Sequence, residues 1–251
     1  MHSVDELFET AVRASNDDAR WSAIQELHAL GTREVFERTV RLSHGCEVAE
    51  RIAAADILGQ LSLFADDALA VMTSMIDDPD PMVVEAVVHA FGQQQNTRTL
   101  DALGRLAVHD APNVRWAVAT ALEDLIGDER AEKLMLALMK DADTSVRDRA
   151  TFAIGSLCDH DTPRIRAALF ERLRDDEPSV AHEAALGLAR RRDARAIPYI
   201  AIAIEKSDDE IEEAADEITS PEMLPELLKA RDAIGEGGGV KKLIDRCRAR
   251  L

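Results

Sequence analysis

Asp110–Leu157 reads DAPNVRWAVATALEDLIGDERAEKLMLALMKDADTSVRDRATFAIGSL. One pattern occurs in it twice. Val114-Arg115-x-x-Val118-x-x-Ala121-Leu122-x-x-Leu125 returns 32 residues later as Val146-Arg147-x-x-Ala150-x-x-Ala153-Ile154-x-x-Leu157. Apolar residues at i, i+3, i+4 and i+7 form one face of a helix, and the segment between the copies has an amphipathic period of its own. The unit is therefore a pair of helices, used more than once.

Working outward from Leu122, equivalent anchors fall at Leu27, Leu58, Phe91, Leu122, Ile154, Leu188 and Ile218. The gaps between them run from 30 to 34 residues, a period typical of repeat architectures. Four residues before each anchor stands a small or aliphatic side chain: Ala23, Ala54, Val87, Val118, Ala150, Ala184 and Ala214. Small residues there let neighbouring helices approach closely. Arg20, Arg51, Arg115 and Arg147 sit seven before their anchors. A second set of helices alternates with the first, as in Val35-Phe36-x-x-Thr39-Val40 and Ile165-x-x-Ala168-Leu169-x-x-Leu173.

Punctuation between the helices agrees with this reading. Asp80-Pro81, Thr162-Pro163 and Ser220-Pro221 each place a capping oxygen before a proline suited to the first helical position. The acid pairs Asp17-Asp18, Asp175-Asp176 and Asp208-Asp209 precede second helices, where carboxylates meet orphan amides. Pro198 and Pro225 fall inside helical segments, so those helices start late or kink. The count is eight helical hairpins, at 3–30, 32–62, 64–94, 97–126, 129–158, 161–191, 193–219 and 220–251. One pair cannot bury its own apolar face. Stacking does it, so the expected fold is an all-α solenoid of about eight antiparallel pairs. It forms a single repeat domain over 1–251, with 235–251 a capping helix after a glycine-rich turn.

The 251 residues carry a formal net charge of −18, with 46% hydrophobic and 4% aromatic residues. So strong a negative charge opposes binding to nucleic acid or anionic membrane and favours a cationic protein partner. Three cysteines in no CxxC spacing argue against a disulfide framework, and the N-terminal MHSVDELFETAV lacks the basic and apolar regions of a signal peptide. A cytoplasmic protein is expected.

The Asp-x-x-Val-Arg-x-x-Ala-x-x-Ala-Leu-Gly rhythm, clearest at Asn113–Leu122 and Ser145–Gly155, resembles bacterial HEAT repeats in the short form named after phycobilisome lyases. That resemblance implies a right-handed superhelix with the second helices on its concave side. Two columns of those helices then face away from the core. Six before the anchor stand Trp21, Ile52, Glu85, Trp116, Asp148, His182 and Glu212; two before it stand Gln25, Asp56, His89, Thr120, Phe152, Leu186 and Asp216. Aromatic anchors among acids suit a protein-binding surface; the same bulky side chains also suit packing between adjacent second helices. The expected contact residues are Trp21, Ile52, Asp56, Glu85, His89, Trp116, Thr120, Asp148, Phe152, His182 and Leu186.

Catalytic alternatives find less support. HEAT-like deoxyhypusine hydroxylases hold two irons with several His-Glu pairs, whereas only His182-Glu183 occurs here. HEAT-like alkylpurine DNA glycosylases need a basic groove. Phycobilin lyases act as paired subunits, and no local bilin motif is present. Cys158-Asp159-His160-Asp161 falls in a connection, where such residues cap and hydrate, and its contiguous ligands suit a zinc tetrahedron poorly. Arg190-Arg191-Arg192 ends a helix, where cations meet the dipole. The expectation is a non-catalytic scaffold with no cofactor or metal. It binds a partner with a basic surface, as an immunity protein neutralises a toxin; the alternative is a lyase-like or metal-dependent enzyme.

Overall fold

The computed structural model of the chain describes residues 2–206, 209–235 and 237–251. Asp208, in the third acid pair, and Glu236, in the glycine-rich turn, lie outside the described residues. Among the described residues every regular element is a helix. By its contacts the chain forms two compact units, Met1–Arg130 and Ala131–Leu251.

The first unit holds four hairpins: α1 (Val4–Arg13) with α2 (Asp17–Leu30), α3 (Arg33–Leu42) with α4 (Val48–Gln60), α5 (Ala65–Met75) with α6 (Pro81–Gln94), and α7 (Leu100–Leu106) with α8 (Pro112–Leu122). Its second helices stack in order, α2 on α4, α4 on α6 and α6 on α8, and each of the four also packs on its own first helix. The boundary falls inside α9 (Glu129–Leu138), which is followed by α10 (Thr144–Phe152). The second unit continues with α11 (Pro163–Arg172) and α12 (Pro178–Arg190), then α13 (Ile197–Ala203) and α14 (Asp209–Ile218), and closes with α15 (Leu224–Ile234) and α16 (Gly238–Ala249). Here α12 packs on α10, α11 and α14, while α16 packs on α13 and α15. The fold is an α-solenoid of paired helices.

The repeat pattern is the core. Leu27, Leu58, Phe91, Leu122, Ile154, Leu188 and Ile218 are all fully buried, and the small residues four before them are buried too. Each large aliphatic side chain so enclosed contributes about 1.5–3 kcal/mol. Helices approach closely at Gly187, where a Cβ would lie 2.6 Å from the Gly155 Cα.

Arg51, Arg115 and Arg147, seven before their anchors, share a structural task, while Arg20 pairs with Asp56. Arg51 donates to both Asp78 carboxylate oxygens (2.6 and 3.1 Å) and to the carbonyls of Gly45 and Cys46. Arg147 repeats this with Asp175 (3.0 and 2.9 Å) and the carbonyls of Asp141 and Ala142. Arg115 donates to the carbonyls of His109 and Asp110 in its own hairpin turn. One planar fork thus closes its own turn and, for Arg51 and Arg147, also grips an aspartate of the next one. The hydrogen bonds from Arg147 hold the Asp175 carboxyl below its ordinary value.

Helix ends follow the caps, with exceptions. Asp80 and Thr162 cap as expected, accepting from Met82 and Ile165. Ser220 makes no capping bond, and Pro221 opens a 3₁₀ turn instead of a helix. Pro198 and Pro225 are each the second residue of a helix that starts late, after such a turn. Asp175 does not cap α12; Glu177 holds that place while Asp175 serves Arg147. After α10 the chain widens into a π turn at Ala153–Leu157, closed by the Cys158 amide donating to the Ala153 carbonyl at 2.9 Å.

The π turn is held by a side chain from the next hairpin. Arg191 is only 8% exposed. It donates to the carbonyls of Ile154, Gly155, Gly187, Cys158 and His160 at 2.6 to 3.2 Å. Burial pulls its pKa down from the ordinary guanidinium value. A cation at the negative end of a helix is the expected arrangement, here fully enclosed. The flanking arginines are also engaged, Arg190 with the Ser156 carbonyl and Arg192 with Glu217 and Glu222.

Candidate partner-binding face

In the first unit the expected contact residues come from α2, α4, α6 and α8. Trp21, Ile52, Glu85, His89, Trp116 and Thr120 are all half-buried, one side against neighbours and one side open. The structure brings four of them together. His89 lies edge-on to Trp116 with ring centroids 6.5 Å apart, Glu85 lies 3.7 Å from His89, and the Thr120 hydroxyl donates to the Trp116 carbonyl at 3.2 Å. Glu85 also accepts from the Asn113 amide. Trp21 stands apart from that group, with the Arg20 guanidinium over its ring.

Asp56 differs from its column. It is buried, and its carboxylate is taken by Arg20 from the preceding second helix. Burial pushes its pKa up to about 6 against the pull of Arg20. It therefore belongs to the packing between α2 and α4.

In the second unit Asp148, Phe152, His182 and Leu186 are likewise half-buried. Phe152 lies under the Arg149 guanidinium, 5.4 Å from its centroid. His182 meets Glu210 on α14 at 3.2 Å and Tyr199 edge-on at 6.2 Å. One oxygen each of Asp148 and Glu183 is buried with no hydrogen-bond partner. Burial, with Asp148 and Glu210 nearby, raises the Glu183 pKa against the pull of His182. Leu186 lines a depression of about 260 Å³ with Ser156, Arg190, Glu210, Glu213 and Glu217. The two sequence columns did not single out Tyr199, Glu210, Glu213 or Glu217: Tyr199 is on the first helix α13, and the three acids stand eight, five and one before Ile218, off the positions followed.

Glu212 and Asp216 point another way. They pair with Lys242 and Arg246 of α16 and with Arg250 at its C-terminal end, so the basic C-terminal helix is partly neutralised within the unit. The Arg246 hydrogen bond, with Lys242 assisting, holds Glu212 below the usual carboxylate range.

His182-Glu183 gathers no third ligand among the described residues. The one described group of three His, Cys, Asp or Glu side chains able to share an ion is Glu132, Cys158 and His160, whose ligand atoms all lie within 4.8 Å of one another. No helix among the described residues is long and apolar enough to cross a membrane.

Over 235 residues the chain is 27% identical to Protein YibA of Escherichia coli (strain K12), spanning 89% of this chain and 83% of that protein. The X-ray structure of the E. coli YibA protein superposes with a TM-score of 0.77 at 25% identity, covering 98% of this chain and 93% of the other. An engineered protein of known crystal structure shares the fold at a TM-score of 0.61 and 15% identity, over 100% of this chain and 78% of its own. The family model described as HEAT repeats matches residues 39–123, 69–154 and 131–219, well over half of the length. The chain belongs to the HEAT-repeat family.

Proposed function

We propose that this protein is a non-catalytic cytoplasmic scaffold whose second-helix faces hold a partner protein with a basic surface. The observation that carries this is the run of half-open side chains on those helices. Trp21 and Trp116, both tryptophans of the chain, stand with Glu85 on those helices of the first unit, and Phe152 and Leu186 stand with Asp148 on those of the second. Large amphipathic rings held on one side by packing bind at low entropic cost, and water exclusion around them concentrates the affinity. The net charge of −18 would draw a cationic partner in and set its rate of arrival. A sharper form of the reading is an immunity protein that neutralises a basic toxin.

The test uses the full chain as bait in native lysate, followed by association kinetics with the purified partner. Wild type is expected to capture a basic protein, with an on-rate that falls as salt rises. Trp116→Ala with Phe152→Ala should weaken it by about 30-fold or more, the loss of a hot-spot side chain. Equal affinity in the double variant, or binding indifferent to salt, refutes the reading. For the toxin form, co-expression must rescue cells from the cognate toxin.

A further inference from the structure

We infer that Glu132, Cys158 and His160 form a site for a single zinc ion, independent of the partner-binding face. Contiguity made Cys158 and His160 poor joint ligands on paper. The structure removes that objection: Cys158 leaves the π turn extended (φ −86°, ψ 117°), and the chain brings its sulfur and a His160 ring nitrogen within 4.8 Å of each other. Glu132 on α9 supplies what the spacing lacked, its carboxylate meeting the His160 Nδ1 at 2.9 Å. All three ligand atoms lie within 4.8 Å of one another. Zinc bonds of roughly 2.0–2.3 Å place tetrahedral ligands about 3–4 Å apart, so small rotamer changes close the set. The ion would take the place of the Glu132–His160 hydrogen bond.

Three features favour a built site over a chance cluster. The donors are thiolate, imidazole and carboxylate, a mixture suited to zinc and unsuited to magnesium or calcium. The backbone that carries two of them is locked, since Arg191 donates to the carbonyls of both Cys158 and His160. The site is also open: the His160 side chain is 44% exposed, so water completes the fourth position. Thiolate and carboxylate together neutralise the divalent ion.

The experiment titrates reduced, tag-free full-length protein with zinc alone by calorimetry, and with cobalt followed by absorbance. One equivalent should bind, and the cobalt form should show a thiolate-to-metal charge-transfer band. Glu132→Gln and His160→Asn, changes that keep a polar side chain of similar size, should weaken zinc by at least 10–100-fold, the loss known even for outer-shell contacts. Cys158→Ser should remove the charge-transfer band, with circular dichroism confirming the fold of each variant. Unchanged affinity in Glu132→Gln and His160→Asn, a cobalt spectrum without the thiolate band, or no zinc uptake at all overturns the assignment.

Discussion

Replacing Arg191 with methionine keeps most of the side-chain volume and removes every donor. Five carbonyls then lose a partner, and four of these contacts are buried: Ile154, Gly155, Gly187 and Cys158. Each buried acceptor left without a donor costs about 1–3 kcal/mol. Against that stands the guanidinium's own desolvation, several kcal/mol that the variant no longer bears. The balance is a loss of about 3–5 kcal/mol, the usual result of removing one side of a buried charged network. Arg191→Lys, with three donors in place of a fork, should lose an intermediate amount. Urea unfolding followed by circular dichroism measures the cost, and amide exchange over 153–160 locates it, since the π turn and the Cys158–His160 connection should open first. A loss below about 1 kcal/mol, with unchanged exchange in that segment, would refute the role assigned to this arginine.

Two further perturbations probe the repeat frame. Asp175 is only 4% exposed, and Arg147 holds its pKa below the ordinary 3.8, so the native state binds its proton less tightly than the unfolded chain does. The stabilisation is complete above 3.8 and is lost as pH falls through the lower folded value. Asp175→Asn should therefore cost about 1.5–3 kcal/mol near neutrality, with the gap from wild type closing in acid when both are unfolded by urea across that range. Gly239→Ala would set a Cβ 1.7 Å from the Ala201 carbonyl oxygen, which prevents α16 from seating on α13. Limited proteolysis should then release the C-terminal hairpin, whereas Gly127→Ala, with nothing within 4 Å, should leave the digest unchanged.

The hairpins were legible because one physical demand, burial of a helix stripe, fixes their period. Leu122 and its six equivalents had to be apolar, and the residues four before them small, for any stacked pair to close. Column reading failed where a long side chain crosses from one helix to the next. Asp56 sits at a position that faces outward in most repeats, yet Arg20 reaches it from the preceding second helix and the pair is enclosed. The π turn after α10 was equally hidden, because apolar period marks a face and carries no information on whether the last amide bonds four or five residues back. The buried Arg191 bonds to its carbonyls, and in sequence that residue is the middle of three identical ones.

The candidate zinc ligands show the same limit more sharply. Cys158 and His160 were visible, and their closeness in sequence argued against them. That argument rested on the spacing of zinc ligands along the chain and on the capping use of such residues in a connection. After the π turn the chain brings the pair together, and the third ligand comes from α9, the first helix of the same hairpin. Glu132 carries no mark in its own stretch, Ala131-Glu132-Lys133-Leu134, where it reads as one more solvated acid on an amphipathic helix. Its side chain is only 13% exposed, and its partner is His160. That enclosure depends on where the 158–160 connection passes over α9, which no period of the helix records.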